Sequence, residues 1–214
     1  MLSALIVWGP FSKAVSGGGR ISSLLFTAVL VTAVVEVSPN RRAVVHSLAL
    51  GGPAIVAQML GAVLQLPRWG TVVVLVSTGA FLGYIVVLLL RDILSHRTVT
   101  AETIRGAVTI YILLGVFWIT IYAVILVLRP EAFVFSDALR AEVGTNANQH
   151  FSVLEYFSFV TLTTLGYGDI SPVSPLARVA ATTEAVVGQL FIAITIARLV
   201  GLQVSSRREP PDVD

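Results

Sequence analysis

The chain has 214 residues, 56% of them hydrophobic and 12% charged, with a net charge of +2 and no cysteine. Soluble domains carry roughly 25% charged residues, so a lone soluble domain is excluded, as is a disordered chain, which needs low hydrophobicity. Disulfides and thiolate chemistry are excluded too, the scattered arginines form no nucleic-acid patch, and the composition points to a bilayer.

A bilayer core ~30 Å thick needs about 20 consecutive apolar residues in a helix. Residues 1–11 are apolar but reach only about half that depth. Lacking a basic leader and a small-residue cleavage site, they read as a short or truncated first span rather than a signal peptide. Gly17, Gly18 and Gly19 then form a turn. Four long apolar segments follow, at 21–37, 43–66, 69–90 and 104–128. Pro39, Pro67 and Pro130 punctuate them, and Pro53 beside Gly51 and Gly52 kinks the second. Residues 151–165 are apolar but too short to cross at ~1.5 Å per residue. The glycine-rich run Gly166-Tyr167-Gly168-Asp169 comes next, so this stretch reads as a re-entrant helix plus loop. A fifth long segment, 176–202, precedes a polar tail too short to fold into a regulatory domain.

These elements describe an all-α membrane protein with five full transmembrane helices, a short N-terminal one and a re-entrant helix. With the 129–150 loop outside, Arg41, Arg42, Arg91, Arg97, Arg105, Arg207 and Arg208 lie inside. Lys13, Arg20, Arg68, Arg129, Arg140 and Arg178 lie outside, a modest positive-inside excess.

The run from Thr161 to Asp169 carries the chemistry. A potassium ion crossing a membrane must exchange its water for other oxygens. Backbone carbonyls can serve if successive ones turn to the same side. Ordinary L-residues do not hold that alternation, whereas glycine takes the positive φ it needs. Gly166 and Gly168, alternating with Leu165 and Tyr167, meet this requirement, and Thr164 adds a hydroxyl at the inner end. Tyr167 is expected to brace the segment by packing outward.

Thr164-Leu165-Gly166-Tyr167-Gly168 resembles the T-V-G-Y-G filter of the potassium-channel pore family, with leucine in place of valine, and Asp169 also matches. The resemblance covers roughly residues 103–202 and extends to small bacterial potassium-channel homologues with extra N-terminal spans. It implies a homotetramer, with three further copies of the chain surrounding one axis, and K⁺ held at Thr164, Leu165, Gly166 and Tyr167. The domains are then 1–97, a helical membrane domain laid out like a voltage sensor; 98–204, a pore domain; and 205–214, a cytosolic tail. No arginine ladder occupies 69–90, so weak or absent voltage dependence is expected. The implied function is passive, potassium-selective conduction across a bacterial plasma membrane, with the filter mouth outside and the C-terminus in the cytoplasm. A non-conducting accessory subunit that keeps the pore fold is the alternative. Neither an enzyme nor a cofactor beyond bound K⁺ is expected, because clustered nucleophiles and acid–base pairs are not seen.

The pore helix, expected at 152–163, would aim its negative C-terminal end at a dehydrating cation. Asp169 would ring the outer mouth, with Tyr156 as its candidate hydrogen-bond donor. Aligned by resemblance, Gly188 falls at the family's hinge glycine, and Gln189, Ile192 and Ile196 then share a cavity-lining face. Glu184 lies off that face, and its expected partners are Ser158, or Thr161 and Thr163, behind the filter; pairing with Arg178 or protonation in place are the alternatives. Arg198 is expected to face neighbouring helices, near Asp92 or Glu102. Trp69 and Trp118 read as packing or interfacial anchors. Glu36 is expected to pair with Arg41 or Arg42, and His46 to be solvated. His46, His96 and His150 lack ligand spacing.

Overall fold

The structure, a computed structural model, describes residues 67–95, 100–143 and 147–206. The expected spans at 21–37 and 43–66, the apolar N-terminus, Glu36, His46, His96 and the tail from 207 lie outside the described residues.

Helix α1 (Arg68–Ser95) has 28 residues, as does α2 (Ala101–Leu128), so each extends ~42 Å, enough to cross a bilayer. Thr100 and Thr103 start α2 with a capping box, each side chain accepting from the other's backbone N–H. Arg129-Pro130 ends it, and the Arg129 N–H closes the last turn on the Ile125 carbonyl at 2.8 Å. A 3₁₀ turn (Pro130–Ala132), strand β1 (Phe133–Phe135) and helix α3 (Asp137–Val143) lead to α4 (Ala147–Leu162). With 16 residues, α4 extends only ~24 Å and does not cross. It begins five residues before the expected start at 152, with Asn148, Gln149 and His150 already helical. Strand β2 (Ile170–Pro172) pairs antiparallel with β1, Val134 facing Ser171, and α5 (Pro175–Ser206) follows. Among the described residues, three helices are long and apolar enough to cross a membrane: α1, α2 and α5.

Lipid tails are as apolar as leucine, so helices in a membrane associate through close packing and internal hydrogen bonds. The α1–α2 seam follows this rule. A Cβ on Gly79 would lie 2.7 Å from the Thr120 hydroxyl, and one on Gly83 3.3 Å from the Phe117 ring. Beside these small residues, Phe81, Leu82 and Ile85 of α1 pack with Ile110, Leu113 and Leu114 of α2 and with Leu162, the last residue of α4. Residues on both sides of the boundary expected at 97/98 contribute to this cluster. A second cluster joins Trp118, Ile119 and Tyr122 of α2 to Val153, Leu154 and Phe157 of α4 and Ala177 and Ala180 of α5. Trp118 is thus a packed core residue, whereas Trp69, 74% exposed at the start of α1, is placed as an interfacial ring would be.

Helix α2 is the centre of the fold, with 67% of its most apolar stretch buried, against 6% for α5. Among the described residues α5 is the barest of the three long helices, which leaves its surface for lipid or for further protein.

Candidate functional site

The segment after α4 is irregular backbone. Its inner end is tied to α4: Thr164 N–H donates to the Thr161 carbonyl at 2.9 Å, and Leu165 N–H donates to the Val160 carbonyl at the same distance. Backbone φ then alternates in sign, positive at Thr164 (60°), Gly166 (58°) and Gly168 (81°). The described residues contain no other positive φ. The alternation is the geometry that turns successive carbonyls toward one side. The glycines are required by conformation rather than by space, since nothing lies within 4 Å of where a Cβ on Gly166 or Gly168 would sit. Thr164 is expected here for its hydroxyl, and its positive φ is what the sequence did not announce. A β-branched residue at φ 60° is strained by about 1–3 kcal/mol, the kind of strain that collects at functional sites.

Residues Thr163 to Gly168 are all exposed within the single chain. Among the described residues, no donor reaches the carbonyls of Thr164, Leu165, Gly166 or Tyr167, so four consecutive acceptors are uncommitted. At membrane depth such backbone is tolerated only where it is covered by protein or lines a water-filled path.

The outer end is anchored more firmly. Asp169 accepts from the Tyr156 hydroxyl at 2.7 Å and from the Ile170 N–H at 3.1 Å. Its carbonyl accepts from the Ser136 N–H at 2.8 Å, which continues the β1–β2 pairing into the loop. Tyr156, at the outer level and outside the three spans, is held protonated. Its burial and its bond to the Asp169 carboxylate push its hydroxyl up to about 12, so it donates across the neutral range. The Tyr167 ring stacks on the Tyr156 ring, centroids 6.4 Å apart and 9° from parallel. The side chain between Gly166 and Gly168 is therefore positioned by the residue that also holds Asp169.

Behind the segment, Glu184 of α5 is fully buried. Its carboxyl meets Ser158 of α4 at 2.6 Å and also the hydroxyl of Tyr122 on α2. Of the partners expected from sequence, only Ser158 is in place. Thr163 turns its hydroxyl back to the Phe159 carbonyl of its own helix, at 2.6 Å, and Arg178 donates to the Pro172 carbonyl at 3.2 Å. Tyr122, which lies 62 residues away in the chain, gave no sequence signal. Arg198 reaches across to α1 and donates to the Leu94 carbonyl at 2.6 Å.

The helix α5 runs unbroken through Gly188. A Cβ there would lie 2.7 Å from the Leu162 carbonyl oxygen, so close approach to α4 accounts for this glycine, and bending is not needed to explain it. Gln189 and Ile196 are exposed and Ile192 is half-buried within the chain. Leu190 and Ile194 are exposed as well, so exposure alone does not single out a cavity face.

Residues 122–203 match a family model described as an ion channel. The match begins at Tyr122, the partner of Glu184, and runs through α4, the alternating segment and most of α5. Over this stretch the chain is similar to an ion channel, and α1, α2 and α5 are long and apolar enough to cross a membrane. No curated protein and no solved structure matches the chain.

Proposed function

We propose that four copies of this chain assemble around residues 164–168 into a potassium-selective channel. The observation that carries this reading is the alternation of positive φ at 164, 166 and 168 beside four uncommitted carbonyls at membrane depth. One chain supplies one wall of acceptors, and a cation stripped of water needs several. Four walls would present rings of carbonyls from Thr164, Leu165, Gly166 and Tyr167, with the Thr164 hydroxyls innermost.

The other features fall into place around that axis. The C-terminal end of α4, at Leu162, points its partial negative charge to the inner end of the filter, where a cation loses its shell. Asp169 sits at the outer end and raises local cation concentration there. The bare surface of α5 is covered by the neighbouring copies, and its Gln189, Ile192 and Ile196 line the water-filled cavity. Leu165 replaces the family's valine at a position that contributes its carbonyl, so coordination is kept. The filter opens outward, and the C-terminus lies in the cytoplasm.

The test is flux through purified protein in liposomes, with potassium against sodium. Potassium-selective flux that Gly168→Ala abolishes supports the reading. Selective flux that survives Gly168→Ala overturns the filter assignment, and an inert wild-type tetramer favours a non-conducting accessory subunit instead.

A further inference from the structure

The cluster around Glu184 can be read by counting protons. Three close oxygen–oxygen contacts meet there: Tyr122 Oη to Glu184 Oε2, Ser158 Oγ to Glu184 Oε1 at 2.6 Å, and Ser158 Oγ to the Gly115 carbonyl at 2.9 Å. Each needs a proton between its oxygens, since two bare acceptors repel at that separation. Tyr122 supplies one and Ser158 supplies one, because a hydroxyl carries a single proton. The Gly115 carbonyl has none to give. The third must come from Glu184 itself.

We infer that Glu184 is a neutral carboxylic acid that latches the inner helix α5 to α4 and α2, and so positions the filter from behind. Tyr122 donates to Oε2, the Glu184 O–H donates to Ser158, and Ser158 donates onward to the Gly115 carbonyl. Every proton then has one donor and one acceptor, and no charge is buried.

A second contact lies one turn further along. Ser158 and Leu162 are four residues apart on α4, as are Glu184 and Gly188 on α5, so both pairs fall on facing stripes. At this inner contact Gly188 brings α5 against the Leu162 carbonyl, which also accepts from the Tyr111 hydroxyl of α2 at 3.3 Å. Tyr111 and Gly115 are likewise one turn apart. The same three helices therefore meet twice, once through Glu184 and once through Leu162, and Thr164 begins two residues beyond. Any tilt of α5 that moves position 184 must drag the end of α4, and with it the inner ring of the filter. Glu184 is a positioning residue in this arrangement: it touches no ion and acts through Ser158.

This inference rests on reading 164–168 as an ion filter, and the experiment separates the two. Flux through the wild type tests the channel reading by itself, whereas the infrared carboxylic C=O stretch of Glu184 is measurable whether or not the protein conducts. Glutamine puts a donor nitrogen and an acceptor oxygen where a neutral acid has its hydroxyl and its carbonyl, with one extra N–H. Glu184→Gln should therefore remove the infrared band yet keep wild-type potassium selectivity and recovery after a potassium-free interval. Tyr122→Phe and Ser158→Ala each delete a link. They should shift the band and slow recovery by about tenfold, one hydrogen bond's worth, in a tetramer that stays intact. Absence of a carboxylic acid band, or loss of selectivity in Glu184→Gln equal to that in Glu184→Leu, would show that a charged carboxylate is required and overturn the inference. So would wild-type recovery in both Tyr122→Phe and Ser158→Ala, two variants that keep the fold testable if Glu184→Leu fails to assemble.

Discussion

Two glycines of the same helix allow the packing of α5 on α4 to be weighed directly. Alanine at either position brings the same gain in helix propensity, about 1 kcal/mol in water, so that contribution cancels in the comparison. What remains is steric. At Gly201 nothing lies within 4 Å of an added Cβ. At Gly188 the Cβ would stand 2.7 Å from the Leu162 carbonyl oxygen and 2.8 Å from its Cδ1. The leucine tip can rotate, but the carbonyl belongs to the α4 backbone, and the helix must retreat by about 0.5 Å or more to restore ordinary contact. Overpacking of this kind costs about 1–3 kcal/mol per chain, or ~4–12 kcal/mol in an assembly of four. The Gly188→Ala protein should therefore melt below the Gly201→Ala protein, by about 2–4 °C per kcal/mol for a chain of this size. Because Leu162 leads into Thr164, Gly188→Ala should also lose potassium selectivity in liposome flux while Gly201→Ala keeps it. Equal melting temperatures with wild-type selectivity in both variants would refute the close approach. A Gly188→Ala protein more stable than wild type but locked in one conductance state would assign the glycine to bending instead.

The strain at Thr164 makes a prediction with an unusual order: Thr164→Gly relieves the positive φ and Thr164→Ala does not, so the glycine variant should be the more stable of the two by about 1 kcal/mol, though both lose the innermost hydroxyl. The reverse order in thermal melts would mean that φ is negative there. Glu155 of α4, beside Tyr156 and Phe159, has its carboxyl pushed up by burial from 4.5 to about 7. Its folded form binds protons more tightly, so stability is unaffected below pH 4.5 and falls as pH rises through 7. Glu155→Gln should accordingly raise stability at pH 8, by at most about 3 kcal/mol per chain, and leave it unchanged at pH 4, as read from thermal melts; lower stability at pH 8 would point to a cation from another copy paired with the carboxylate. In this cysteine-free chain, Gln189→Cys, Ile192→Cys and Ile196→Cys should each be blocked by a pore-entering thiol reagent and Arg198→Cys should not, and block at 198 alone would rotate α5.

Sequence reading reaches some of these features and misses others for identifiable reasons. Membrane spans are legible because apolar length is a one-dimensional property, and α1, α2 and α5 each contain the expected segment within a few residues at either end. The glycines at 166 and 168 are legible because only one residue type accepts positive φ freely. Thr164 shares their conformation, yet its residue type argues against it, so no local rule selects it. The faces of α1 and α2 are also illegible: a helix that is apolar all round has no polar side to mark its partner. Gly79 and Gly83, four residues apart on one stripe, were the available clue to that seam. Tyr122 could not be found as the partner of Glu184, since a hydrogen bond across 62 residues leaves no spacing to read. The β1–β2 pair is three residues per strand, shorter than any pattern of alternation can register.

The candidate filter gains little stability from within the chain. Its side chains are exposed, its glycines touch nothing at Cβ range, and one threonine is strained. A segment like this keeps its shape only if its two ends are fixed and its length is taut between them. The inner end is fixed through the Thr161 and Val160 carbonyls to α4. Helix α4 is in turn pinned by Ser158 and Leu162 to α2 and α5. The outer end is fixed by Tyr156 and Ser136 through both the side chain and the carbonyl of Asp169. Tyr156 and Ser158 are two residues apart on a helix, so they face different directions, one toward the mouth and one toward the helices behind. Helix α4 thus distributes its side chains between the two anchorages, and its rigidity sets the distance that five filter residues must span. A change anywhere along α4 that alters this distance, even one remote from residues 164–168, acts on all four uncommitted carbonyls together.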